Sequence, residues 1–212
     1  MSDTIQTTFQ HLFSSYSEDT SLSTSYWTEI ELHYKAKNRH HHNLIHLEHV
    51  IKELKSIQTE VMDWDVLLFS VFYHDIVYQS TANDNEEKSA AFAQKRLARI
   101  QLPETKITRV INQILATKTH VISSDLDTNY FLDADLSILG QEWESYEKYS
   151  TCIRKEYAIY PDFLYNLGRK KALIHFLAFE DIFKTTYFKE KYEKQARINI
   201  EREIESLTSF FL

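Results

Sequence analysis

The sequence predicts an all-α protein. Glycine and proline occur only twice each in 212 residues (Gly140, Gly168, Pro103, Pro161), against usual shares of about 7% and 5%, and tight turns and hairpins draw on those two residues. Apolar residues recur at helical spacing along most of the chain. No repeat or low-complexity tract interrupts that pattern, and no segment requires a strand.

Ten helices are expected, at 3–13, 22–36, 43–61, 64–78, 84–100, 104–120, 128–139, 142–160, 162–184 and 187–211. The polar stretch 14–25 (SSYSEDTSLSTS) reads as the loop between the first two. In the third, Leu44, Leu47, Ile51 and Leu54 form an apolar stripe. The fourth, rich in Val, Phe and Tyr, has a buried strand as its rival, but its length and the shared face of Trp64, Leu67, Leu68, Val71 and Phe72 favour a helix. Asn83 with Glu86, or Asp84 with Glu87, has the spacing of a capping box that starts the fifth. Ile107, Ile111 and Ile114 line the sixth, and Leu132 and Leu139 the seventh. Trp143, Tyr146, Ile153, Tyr157 and Tyr160 mark the eighth, where core or dimer packing is expected ahead of a base-stacking platform. The helices from Tyr165 onward are amphipathic and aromatic.

Polar residues on these apolar faces are the candidates for chemistry. At about 100° per residue, a helix running through 64–78 returns Asp75 to the apolar arc and sets His74 at its edge. A buried carboxylate costs several kcal/mol unless it is paired, protonated or bound to a cation, and the adjacent His-Asp step suggests the cation. Asp135 lies on the stripe of Leu132 and Leu139, whereas Asp133 points aside, to brace Asp135 or to meet solvent. His42, His46, His49 and Glu53, at i, i+4, i+7 and i+11, make one polar stripe, although a surface role is the expectation for His49, His40 and His41. Imidazole and carboxylate donors suit Mn, Fe, Co, Ni or Zn better than Ca.

The formal charge of −7 speaks against a nucleic-acid coat, because counterion-release binding needs a basic face. Cys152 is the only cysteine, so no internal disulfide forms and a reducing compartment suits the chain. The first 34 residues hold no Lys or Arg and precede no apolar leader. The apolar runs 65–78 and 172–183 are short and interrupted by charge, so neither is expected to cross a membrane. A cytoplasmic protein is expected.

The order His46, His74-Asp75, Asp135 resembles the H…HD…D signature of the HD superfamily of metal-dependent phosphohydrolases. HNLIH at 42–46 is similar to the HNxxH element of the cyclic-nucleotide phosphodiesterases, an HD-related group. LDADLS at 132–137 is similar to the helix that supplies the last ligand. In order, RHHHNLIHLEHV, FYHDIVY, DNEEKSA, FLDADLSILG, CIRKEY, LGRKKALIHFL and ARINIERE resemble a small bacterial family of HD-superfamily phosphohydrolases over about 39–205. His41 departs from that family's usual Tyr and is expected to stay off the metal. Gln79-Ser80 stands where the (p)ppGpp hydrolases carry a Glu-Asp pair, and the Gly-Tyr-Pro element of HD-GYP enzymes is absent.

The resemblance implies one HD-type helical bundle over 1–212. Its core would cover about 39–140, with additional N-terminal helices and C-terminal helices 142–212 packed on it. It further implies one divalent ion (Mn, Mg, Fe, Co, Ni or Zn) held by His46, His74, Asp75 and Asp135, and His42 as proton donor to the leaving oxygen. Asp75 would accept a proton from water. Glu86 would add a carboxylate if the 80–84 loop folds back over the site. Arg39, Arg154 and Arg169 are the candidates for the phosphate, and His120 for substrate or a second ion. The expected substrate is a small phosphate ester or anhydride, a nucleotide or related metabolite, and a homodimer is admitted by the aromatic packing. A silent HD-fold sensor and a metal-free helical interaction protein are the alternatives.

Overall fold

A computed structural model describes residues 4–208, and every described element is helical. The ten α-helices run α1 Ile5–Ser14, α2 Thr20–Tyr34, α3 Leu44–Lys55, α4 Trp64–Tyr73, α5 Asn85–Arg99, α6 Glu104–Ala116, α7 Leu126–Leu136, α8 Trp143–Glu156, α9 Asp162–Leu177 and α10 Thr186–Thr208. Short 3-10 turns follow α3 (Gln58–Glu60) and α7 (Ser137–Gly140). Each expected helix is present. The outermost positions expected at the two ends, Asp3 and 209–211, lie outside the described residues. No helix among the described residues is long and apolar enough to cross a membrane.

The chain gathers into two compact units, residues 1–131 and 132–212, with the division inside α7. In the first, α4 is buried from Val66 through Tyr73, the mark of a core helix apolar all round, and it packs on α1, α3, α5 and α6. Its start is pinned by Asp127, fully buried, whose carboxylate accepts from the backbone of Met62 and Asp63 at 2.9 Å each and from Arg109 at 3.0 Å. In the second, α10 packs on α9 and on the 137–140 turn.

Several helices are shorter than their apolar pattern suggests, because distant side chains take over the backbone. The helix expected over 64–78 ends at Tyr73. Beyond it, Arg39 donates to the carbonyls of Asp75 (2.6 Å) and Ile76 (2.9 Å). Ser89 Oγ meets both N–H and carbonyl of Val77. The helix expected over 162–184 ends at Leu177. There Arg197 takes the carbonyls of Leu177, Phe179 and Glu180 at 2.8–3.3 Å, and Glu193 accepts the N–H groups of Ile182 and Phe183. Asp133, rather than facing solvent, is fully buried and accepts from Lys184 N, Thr185 N and Thr185 Oγ1. Backbone groups satisfied this way need no helical partner. The loop expected at 14–25 shrinks to 15–19, since Asp19 caps α2 by accepting from Leu22 N at 2.9 Å.

With few glycines, two helix ends put other residues in the left-handed region: Gln101 (φ 57°) after α5 and His120 (φ 50°) after α6. At Gln101 the bonds Leu102 N to Leu97 O and Gln101 N to Ala98 O, both 3.1 Å, are those of a Schellman motif, with buried Leu102 and Leu97 in the positions of its apolar contact.

Candidate metal centre

Asn43 sets the position of His46. Its backbone is extended (φ −127°, ψ −175°), and its side chain accepts from Ile45 N at 2.9 Å and His46 N at 3.3 Å, so it is the N-cap of α3. Asn43 Nδ2 also donates to His40 O, tying down the His-rich loop. His46 therefore stands in the first turn, with 5% of its surface exposed. His42 lies before the cap, not on the helix as the i, i+4 stripe implied. Its ring stacks on Tyr78, centroids 4.1 Å apart. His41, unexpectedly close, has its ring 4.8 Å from that of His46.

His74 is the C-cap of α4, and its Nδ1 lies 2.9 Å from Val71 O. A carbonyl can only accept, so Nδ1 carries the proton. In the neutral ring this leaves the Nε2 lone pair toward His46 Nε2, 3.3 Å away, and Asp75 Oδ2, 3.1 Å away. A lone pair facing a carboxylate oxygen at that distance repels it unless a proton or a cation stands between. Burial opposes ionisation of Asp75, and the positive charges that His74, His42 and His46 carry when protonated outweigh it, holding the carboxyl well below the usual carboxylate range.

Arg39 locks this arrangement. It is 8% exposed, and beyond the two α4-end carbonyls it donates to His42 O at 3.2 Å, while its guanidinium lies over Tyr34 and Tyr78. Tyr34 Oη accepts from Asp75 N at 3.2 Å. One guanidinium thus joins the loop that precedes His46 to the turn that carries Asp75.

His46, His74 and Asp75 each offer one donor atom, and the three atoms lie within 4.8 Å of one another. Two ligands at ~2.1 Å from one ion stand about 3.4 Å apart in tetrahedral and about 3.0 Å apart in octahedral geometry. The observed 3.1 and 3.3 Å match those separations, and the third, His46 Nε2 to Asp75 Oδ2, is 4.0 Å. The donor set therefore fits a divalent ion. Comparison with family models, curated proteins and solved structures gave no match to this chain.

Of the remaining candidates in the first unit, Glu86 sits in the first turn of α5. The expected capping box is not formed there: Asp84 is the N-cap without a side-chain bond and instead pairs with Lys88 at 2.8 Å. Asn85 closes the 79–85 loop by bonding both N–H and carbonyl of Gln79. Burial raises the Glu86 carboxyl above its usual range, and the charge of Asp75 adds to the rise. Glu87 pairs with Lys118, which also donates to Asn83 O at 2.7 Å. His120 follows two residues later, half-buried on its left-handed backbone.

Asp135, half-buried near the end of α7, belongs to the second unit, where its charge acts on Lys184. Arg154 and Arg169 lie in that unit too, with their guanidinium groups already engaged. Arg154 grips Asp162 (2.6 Å) and the carbonyls of Tyr157 and Tyr160. Arg169 makes a two-pronged bond to buried Glu203 (2.8 and 3.0 Å), which also accepts from Tyr146 and Ser150. Sequence reasoning missed Arg39 as a clamp, the stacking of Tyr78 on His42 and the Val71 carbonyl that orients His74. None of the three has a periodic signal, since each joins residues by a fold contact or through the backbone.

Proposed function

We propose that this chain is a divalent-metal-dependent phosphohydrolase of the HD type, acting on a phosphate ester or anhydride of a small molecule, a nucleotide or related metabolite. The observation that supports it best is the cluster of His46, His74 and Asp75, drawn from α3 and the end of α4 into one donor set. Asp135 is the proposed fourth ligand, on the order of residues along the chain.

A bound divalent ion would supply Lewis acidity, lowering the pKa of water and neutralising phosphoryl charge. The chain's own groups do the rest. His74, its Nδ1–H held by Val71 O, keeps a fixed Nε2 donor, and His42, stacked on Tyr78, gives a proton to the leaving oxygen as the P–O bond breaks. The attacking water passes its proton to Asp75 or to Glu86, whose raised pKa suits it to hold one. Arg39 keeps the proposed substrate face in register from behind.

The test is a panel of phosphomonoesters, diesters and nucleotides with Mn, Mg, Ni and Co, run beside elemental analysis of protein purified without a His tag. Metal retention and metal-dependent release of phosphate are expected, both lost in Asp75→Asn. Turnover unchanged in that variant, or no ion and no thermal stabilisation by any of the four cations, would overturn the proposal.

A further inference from the structure

We infer that the protein forms a two-fold dimer through the outer face of α9, with the Leu167 of each copy seated in a cavity of the other. The inference is independent of the phosphohydrolase reading and rests on residues of the second unit alone.

α9 buries only Tyr165, Asn166 and Leu173. The opposite side is apolar and bare: Phe163 is 54% exposed, Leu164 47%, Leu167 60% and Ile174 49%, with Ile159 at 72% just before the helix. At 100° per residue, Phe163, Ile174, Leu167 and Leu164 fall within one arc of about 100°. A fully exposed side chain of this size offers on the order of 180 Å2, so the five leave roughly 500 Å2 of apolar surface per copy, near the top of what a monomer leaves bare. Two such faces together reach about 1,000 Å2, the lower bound for a specific interface.

The face is also self-complementary, as an isologous contact requires. Beside the protruding Leu167 lies a cavity of about 420 Å3, lined by Ile153, Tyr157, Tyr160, Leu164, Gly168 and Ala172 among others. A Cβ placed on Gly168 would meet nothing within 4 Å, so the helix surface dips next to its own knob. A two-fold axis beside Leu167 runs the two α9 helices antiparallel. Each Leu167 then enters the hollow at the other copy's Gly168, and the Phe163 end of one helix meets the Lys171–Ile174 end of the other. That orientation opposes the two helix dipoles.

Sedimentation equilibrium of the full chain should show a dimer dissociating on the order of micromolar, as small interfaces do. Leu167→Glu should be monomeric with unchanged helical circular dichroism, whereas Met62→Glu, at a residue 81% exposed in the first unit, should remain dimeric. In a Cys152→Ser background, Leu167→Cys should cross-link on mild oxidation and Ile198→Cys, also exposed, should not. A monomer at all concentrations up to roughly 100 µM, or a dimer that survives Leu167→Glu, overturns the inference. So does cross-linking that favours Ile198→Cys.

Discussion

Replacing Arg39 by Met should damage both the fold and the metal centre. Arg39 donates to the carbonyls of His42, Asp75 and Ile76 at 3.2, 2.6 and 2.9 Å, and its guanidinium centre lies 4.9 Å from the Tyr34 ring. A hydrogen bond from a charged donor is worth about 1.5–3 kcal/mol net, and an acceptor left buried without a partner costs about 1–3 kcal/mol. Water can reach the part-buried carbonyls, so only Ile76 O bears the full penalty, and a loss of about 3 kcal/mol follows. For a chain of this size that is a fall of roughly 6–12 °C in melting temperature. Because the same bonds hold the Asp75 turn against the loop before His46, Mn or Ni affinity should fall about 10–100-fold, the usual effect of losing a group that orients ligands. Arg39→Lys, with a point charge in place of a planar fork, should recover part of the stability and less of the metal affinity. Urea unfolding and titration calorimetry would measure the two. A methionine variant that melts within about 2 °C of wild type and binds the ion equally well would refute the clamp.

Arg169→Met should cost about 3–5 kcal/mol, because Glu203 would be left charged and buried, while the double variant Arg169→Met, Glu203→Met should regain most of the loss. A double-variant cycle by chemical denaturation checks this, and little loss in the single variant would mean the pair is dispensable. Burial opposes the charge on Glu203, but Arg169 outweighs it and holds the carboxyl below its usual 4.5. Its folded pKa is the depressed one, so its contribution is complete above pH 4.5 and fades as pH drops further; unfolding at stepped pH should show a shallower acid slope in the double variant than in wild type. Gly140→Ala would place Cβ 2.4 Å from Tyr192 Cβ and 2.9 Å from its Cα, an overpacking loss of about 1–3 kcal/mol or more that a shifted urea midpoint would report. Gln101→Gly should stabilise by up to about 1 kcal/mol by relieving the left-handed backbone, and a lower midpoint would show that the Gln side chain matters more than the strain.

The order of the ten helices was legible because burial imposes a 3.6-residue period wherever a helix meets a core, and scarce glycine and proline left few other choices. His74 and Asp75 stood out for a related reason, since charge next to the buried run of α4 demands a partner. Periodicity alone did not name that partner; His46 was named through the resemblance, and the fold sets it 3.3 Å from His74. Where α4 and α9 stop is decided by Arg39 and Arg197, whose targets are carbonyls far away in the chain, and a carbonyl leaves no mark in an amino-acid sequence. The same holds for Arg169, where a lone arginine reads alike whether it awaits a phosphate or, as the fold has it, a buried glutamate. Local periodicity thus determined which segments are helical and which faces turn inward. Tertiary contact alone decided where helices break and which polar groups meet, because hydrogen bonds between side chain and distant backbone depend on position in space and carry no repeat along the chain.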